Sequence, residues 1–422
     1  MSIASEIQRI KSNIALSYDA VAGKGGQLPQ TQNSANLPQA ISTIPQGSEN
    51  NGAYLVQVID YDGTILKQAW LDTGETFTLP DPPTNHPRLT FQTWSSSAPI
   101  VDNKVTVTNN DILIGPIYDT VSGLTEFDIY VPPSAAGVAG RFAVSGTKDW
   151  GDGTSDTAGS HTYSQSGFYT IKVDCEGFGG GQYNGIFVLY SYENPVFRCV
   201  GVHCSSDVTW IGAYPFVRTW LKYCTLSTGL VNLNEKFETN SAVTTIILPP
   251  QITSLPNTFL GGTQCQKVVL PYGLTSVGDS SLADTKITFM PIPDTCQTFG
   301  NRALDQNYMT HIRFPEGVTV IPTCRSVIPY EFIAPNSATK ATDFFNNPLY
   351  RFVAGEDFAE IGDGTFSYTG IVEMDFSKCR QIPTLASTNM DRGAVIKVPA
   401  ALYDQWITET NWVDLADYIV PV

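Results

Sequence analysis

Between residues 245 and 321 the apolar residues return at a fixed interval. Prolines 249, 271, 293 and 315 stand 22 residues apart. Leu248, Leu270, Ile292 and Phe314 each precede one of them, and Leu255, Val277, Phe299 and Ile321 each follow by six. Leu260, Leu282 and Leu304 come eleven residues after the first three. The register extends back to Leu226 and Leu233, then to Ile211 and Phe216. It slips near residue 335 and resumes at Ile361 and Phe366, at Gln381-Ile382-Pro383 and at Val398-Pro399. A period in the low twenties predicts a solenoid, in which each unit supplies a short strand, a turn and a second apolar contact. No such unit buries its apolar face alone, so the coils must stack, and the recurrent residues are core rather than ligand contacts.

Other patterns precede the repeat. Ile3, Ile7, Ile10 and Ile14 follow a 4-3-4 spacing and form one helical stripe, stopped at Gly23, Gly25 and Gly26. Residues 1–23 are therefore expected to be a docking or oligomerising helix; the competing reading folds this helix against its own domain. Isoleucine at both seam positions favours three or more strands, so a homotrimer is the expected oligomer. Residues 24–52, rich in Gln, Asn, Ser, Gly and Pro, read as a linker. Residues 53–123 alternate like strands around the turn Asp62-Gly63, and residues 124–193 do so around Asp152-Gly153.

Charge removes one function class. Forty acids against 24 bases leave a net charge of −16. Such a chain is repelled by nucleic acid, and no basic cluster offers an exception. Charged residues are only 15% of the chain, so its surface leans on uncharged polar residues. The opening residues have no apolar segment of the signal-peptide kind, and no stretch approaches the ~18–20 apolar residues of a membrane span. Synthesis in a cytoplasm without membrane insertion is the expectation. The eight cysteines are scattered, with no C-x-x-C and no zinc spacing. Buried free thiols are the first reading and disulfides the second.

The stretch Asp149 to Tyr163, DWGDGTSDTAGSHTY, is the densest chemistry in the chain. Its acids at 149, 152 and 156 lack the closing Glu of a calcium loop. Asp152 and His161 have no Ser or Cys nucleophile with its own motif. Turn chemistry accounts for the residues best, so no catalytic, metal or cofactor residue is assigned and no enzyme is expected.

Four resemblances extend this reading. MSIASEIQRIKSNIALSYDAVAGKGGQLPQTQNSANLPQAISTI resembles the N-terminal segment of tail and appendage proteins of phages from gut Firmicutes. This implies attachment to a virion. Asp62-Gly63-Thr64 with Leu66, Gly74, Pro80–Pro83 and Phe91–Trp94 resemble an internalin B-repeat, a β-grasp-like spacer; the usual Gly before the aromatic pair is absent. Trp150, Gly151, Asp152, Gly153, Thr154, His161, Thr162, Tyr163, Gly167, Tyr169 and Val173 resemble the signature of PKD domains, Ig-like β-sandwiches. KVVLPYGLTSVGDSSLADT and RFVAGEDFAEIGDGTFSYT resemble BspA-type leucine-rich repeats, which are mostly adhesive or ligand-binding.

The expected chain is mainly β. It has a helix (1–23), a linker (24–52), an internalin B-repeat-like domain (53–123), a PKD-like sandwich (124–193) and a leucine-rich-repeat solenoid (194–422) capped from about 399. The resemblances together imply a phage virion protein, a tail fibre or similar appendage, exposed outside the cell. It would bind other virion proteins through its N-terminus and a host or mucosal glycan or protein through the solenoid. The alternatives are a bacterial cell-surface adhesin or a head fibre or capsid decoration protein. Tyr330, Tyr350, Tyr368 and Trp210 are the aromatic candidates for a binding surface, which the sequence otherwise leaves unassigned.

Overall fold

The computed structural model describes residues 53–180, 186–188, 197–216, 220–234, 236, 242–309, 312–325, 331–347, 349–387 and 393–422. The expected helix, with Ile3, Ile7, Ile10 and Ile14, and the linker lie outside them. The described chain is mainly β with very little helix and ends in a β-solenoid.

Seven strands come first: β1 (Tyr54–Ile59), β2 (Ile65–Leu71), β3 (Thr76–Thr78), β4 (Leu89–Ser96), β5 (Lys104–Thr106), β6 (Ile112–Thr120) and β7 (Thr125–Val131). Four of them form one mixed sheet in the order β2-β1-β6-β4, in which β1 and β6 run parallel. Strand β6 reads ILIGPIYDT and is almost wholly buried. A continuous apolar run of this kind marks a strand covered on both faces. One face packs on Val56, Val58, Phe77, Trp94 and Val105. The other packs on the solenoid, through Leu113 and Ile117.

Eight more strands follow: β8 (Ala139–Phe142), β9 (Lys148–Asp149), β10 (Ser155–Asp156), β11 (Ser160–Thr162), β12 (Gly167–Val173), β13 (Gly177–Phe178), β14 (Phe187–Val188) and β15 (Arg198–His203). Two sheets face each other, one containing β10-β9-β12-β7 and the other β11-β8-β14. Phe127 on the first meets Phe142 on the second, ring centroids 5.0 Å apart.

The solenoid grows out of these sheets without a break. β7 pairs antiparallel with β15, which pairs parallel with Tyr223–Thr225, 22 residues on. β13 pairs parallel with Trp210–Ile211, which pairs with Asn232–Leu233. Each of the two solenoid sheets is therefore seeded by a strand from before residue 194, and one hydrophobic core runs from Phe127 to Ile419. The seeding strands protect the end of the stack that a free first coil would expose.

Strands beginning at Ser254, Ser276, Thr298 and Val320 keep the step of 22. Those at Lys340 and Glu360 follow after 20, and Thr384 after 24, so the slip near 335 is two residues missing from each of two successive coils. Leu248, Leu255, Leu260, Leu270, Val277, Leu282, Ile292, Leu304, Phe314 and Ile321 are all buried, and Phe299 is half-buried against the same core. Seven corners, most of them one 22-residue step apart, lie in the left-handed region. Tyr214, Lys236, Thr258, Ser280, Arg302, Asn346 and Tyr368 all have φ between 51° and 59°. At the far end Trp406, Trp412 and Leu415 are buried beneath the last strand, and Trp412 Nε1 donates to the Pro383 carbonyl at 2.7 Å.

Candidate functional site

One sheet of the solenoid faces outward along its length, and its residues alternate. Ile246, Val268, Phe332, Phe352, Met374 and Ile396 point inward and are buried. Their neighbours point outward, where the two ends of the sheet differ.

In the first part the outward residues are covered. Ile247 and Val269 pack with Ile59, Leu113 and Ile117 of the N-terminal sheet. A Cβ on Gly115 would lie 2.5 Å from Ile247 Cδ1, so glycine is what permits β6 to come this close. Polar contacts close the seam. Lys267 Nζ donates to Gln57 Oε1 at 2.6 Å, Ser95 Oγ to the Leu248 carbonyl at 2.6 Å, and Asn110 Nδ2 to the Ile292 carbonyl at 3.0 Å.

In the second part most outward residues meet solvent, although Val353 is buried. Glu331, Arg351, Glu373 and Val395 form one cross-strand row; Ile333, Val353, Asp375 and Lys397 form the next. Arg351 pairs with Glu373 at 2.6 Å, with Asp375 at 2.8 Å and with Glu331. Lys397 reaches Glu373 at 2.9 Å. Lys397 and Arg351 hold the Glu373 carboxyl below its usual range. The ladder is thus largely compensated within itself.

Between the two parts lies a groove of about 430 Å³. The loop Thr108–Asn110 overhangs it, and Asp294, Arg313, Glu316, Asn336 and Lys378 line it. Glu316 is occupied, accepting from the Asn336 and Ser337 backbone N–H groups at 3.0 and 3.2 Å. Asp294 and Lys378 have no ion-pair partner among the described residues, so they are free to meet a polar ligand.

A second junction joins the N-terminal sheet, the facing sheets and the first coil. Arg88 grips Asp128 through Nη1 at 2.8 Å and Nη2 at 2.5 Å. Thr170 and Tyr223 donate to the same carboxylate at 2.6 and 2.7 Å. Burial raises the Asp128 pKa, but the bonds from Arg88, Thr170 and Tyr223 outweigh it and hold the carboxyl below the usual range. Beside it, burial and the nearby Arg88 push the His203 imidazole down to about 4. His203 Nδ1 lies 3.0 Å from Thr225 Oγ1, and its ring stacks on Tyr223.

The acids of 149–163 are occupied within their own turns. Asp152 Oδ1 accepts from the Thr154 N–H at 3.0 Å, Asp149 Oδ1 from the Gly151 N–H at 2.9 Å, and Asp156 Oδ1 from the Ala158 N–H at 2.8 Å. His161 sits 2.8 Å from Asp152 Oδ2 and stacks flat on Trp150. All eight cysteines are buried and none is in a disulfide. Among the described residues no group of three His, Cys, Asp or Glu side chains converges as a metal site. No helix there is long and apolar enough to cross a membrane.

Of the aromatic candidates, Tyr368 is 74% exposed, and Tyr350 and Trp210 are also exposed; Tyr330 lies outside the described residues. The sequence reading missed the overhung groove. It also missed that half of the outward row is covered, although a signal for that existed. Ile246-Ile247-Leu248 and Val268-Val269-Leu270 are unbroken apolar runs, the mark of strands buried on both faces.

A family comparison agrees with this repeat. Residues 198–311 match, in six copies, the family described as the BspA type leucine rich repeat region. This part of the chain is similar to BspA-type repeats, and the strands continue to residue 421. No curated protein matches the chain. Among solved structures it is similar to the pneumococcal vaccine antigen PcpA, at 12% identity and a TM-score of 0.37. That likeness covers 54% of this chain and 68% of the other.

Proposed function

We propose that this chain is a surface-displayed adhesive protein that acts by binding, not by catalysis. The observation that carries the reading is the polar groove at the edge of the open solenoid face, with Lys378 and Asp294 unpaired beside Asn336. Its partner is a host or mucosal glycan or protein. BspA-type repeats, which residues 198–311 match, are adhesive or ligand-binding in the family at large, and that supports the reading.

The carrier is a bacterial cell surface. A second reading, a virion appendage docked and trimerised through Ile3, Ile7, Ile10 and Ile14, is favoured by the resemblance of the first 45 residues alone. Immunogold labelling separates the two: label on the bacterial envelope supports the first, and label on purified phage particles supports the second.

The adhesive reading is tested with purified full-length protein on mucin-coated surfaces. Saturable binding, weakened about tenfold in Lys378→Glu, is expected. Absence of binding to mucin and to epithelial cells would overturn it. Release of sugars from mucin by the purified protein would overturn the non-catalytic part.

A further inference from the structure

The outward face of the sheet that fuses the sandwich-like region to the solenoid carries a row of aromatic and basic residues. Phe168 pairs across strands with Tyr130, and Tyr130 pairs with Arg198. The Arg198 guanidinium lies 4.1 Å over the ring of Trp220. Tyr130 and Phe168 rings are 4.9 Å apart. Phe168 is 75% exposed and Trp220 52%. Exposed aromatic rings grouped on one face mark an interaction site more often than scattered ones do.

The next row is polar and rigid. It holds Thr170, Asp128 gripped by Arg88, and Tyr223, whose ring lies flat over Gly201; a Cβ there would stand 1.9 Å from that ring. Phe168, Thr170, Asp128, Arg88, Lys222 and Tyr223 border a hollow of about 500 Å³.

Charge decides the occupant. The face carries Arg88, Lys172, Arg198 and Lys222 against Glu126 and Asp128, two more cations than anions, on a chain of net charge −16. Arg88 is taken by Asp128, and Lys172 by Glu126 at 3.6 Å. Arg198 and Lys222 have no carboxylate partner among the described residues. The Arg198 Nε is buried without an acceptor.

We infer that this hollow binds a carboxylated pyranose, a uronic or sialic acid residue of a glycan. A sugar ring offers a C–H face that stacks on an aromatic ring. Phe168 supplies a ring and Lys222 a cation from the lining, the stacked pair of Trp220 and Arg198 supplies a second ring and cation from the adjoining row outside it, and the fixed hydroxyls of Thr170 and Tyr223 meet sugar hydroxyls. The site is separate from the groove at Lys378 and does not depend on the role given to it.

The test is calorimetric titration of the full chain with 3′-sialyllactose and tri-galacturonate, using lactose and maltotriose as neutral controls. At least one acidic saccharide is expected to bind, at least tenfold more tightly than its neutral control. Phe168→Ala, Trp220→Ala and Lys222→Glu are each expected to weaken it tenfold or more; these exposed positions leave the melting temperature nearly unchanged. Lys378→Glu is expected to leave this affinity intact. Failure of both acidic saccharides to bind would overturn the inference. So would equal binding of the neutral controls, or loss in Lys378→Glu but not in Trp220→Ala.

Discussion

The two parts of the outward sheet are built on the same inner row but not on the same outer row. Near residues 245–269 the outward side chains include Ile247 and Val269, sealed under β6. Near 331–397 they are Glu331, Arg351, Glu373, Asp375 and Lys397, tied to one another in solvent. The repeat therefore dictates only the inward residue of each strand. The outward residue is free to vary and records what lies against it. A covered strand can be apolar on both sides, whereas an open one must alternate. Where the cover ends, a groove opens, and there the chain keeps unpaired polar groups.

The largest expected effect tests the part the two regions share. Phe352 is fully buried in the inner row, stacked near Phe332 and against Phe366. Phe352→Ala removes a whole ring from a packed stack and is expected to cost about 3–5 kcal/mol. Chemical denaturation measures it. A cost below about 1 kcal/mol would mean that the stack is not the source of the solenoid's stability.

The next pair separates the two parts directly. Ile247→Ala should cost about 2–4 kcal/mol, because it opens a cavity under β6. Ile333→Ala, in the open part, should stay within about 0.5 kcal/mol. Hydrogen exchange across Ile112–Thr120 should quicken in the first variant and not in the second. Equal effects would erase the distinction between covered and open strands.

Much of this arrangement is legible in the sequence, and what is not follows a physical pattern. The solenoid was legible because its core residues recur locally, every 22 positions. The turns of 149–163 were legible because each carboxylate accepts from a backbone N–H two residues along. The cover over the outer sheet was half legible, since the apolar runs at 246–248 and 268–270 announced a second buried face without naming what buried it. The fusion of β7 to β15 had no local sign, since Phe127 and Val202 are 75 residues apart in the chain. The clamp of Arg88 on Asp128 and Tyr223 was invisible for the same reason, as was the row from Phe168 to Trp220.

Beside that clamp, His203 adds a pH dependence at mildly acid pH to the one that the lowered carboxyls of Glu373 and Asp375 give the open part. The His203 pKa falls to about 4 when folded, against about 6.5 unfolded. Between those values the unfolded chain binds a proton that the folded chain refuses, so stability falls as pH drops through this window. The full loss is about 3 kcal/mol at the acid end, by 1.36 kcal/mol per unit. Tyr61, His86, Arg88, Asp128 and Tyr223 surround the ring. Asp128, whose folded pKa is lowered, adds a loss of the same sign further down, as the pH falls through its own range. His203→Gln should flatten the melting-temperature profile between pH 6.5 and 4. An unchanged slope would place the acid sensitivity elsewhere.

A smaller effect concerns the corner that both parts share. Thr258 holds φ 52° with a branched side chain, and its Oγ1 is buried without a partner. A non-glycine residue in that region costs ~1–2 kcal/mol, less for Asn. Thr258→Gly is expected to gain about 1 kcal/mol, after allowing for glycine's extra freedom when unfolded. Asn346→Gly, at the same corner in the open part, should gain almost nothing.

The smallest expected effect is the most informative about what the open face is for. Arg351 binds three carboxylates, yet it is about one-third exposed and its partners are partly solvated. Ion pairs of this kind contribute ~0–1 kcal/mol each and weaken with salt. Arg351→Ala should therefore lower stability by no more than about 1 kcal/mol in 150 mM salt, and by less in 1 M. The ladder's larger effect lies in what it prevents. A parallel face exposing Ile333 and Val395 would be an adhesive apolar patch without its charges. Arg351→Leu should leave the melting temperature within a few degrees while promoting self-association, read as a concentration-dependent rise in mass by sedimentation. If Arg351→Leu stays monodisperse, the charges do not guard the face. If Arg351→Ala unfolds the chain, the ladder belongs to the framework, and the open half differs from the covered half only in what happens to lie on it.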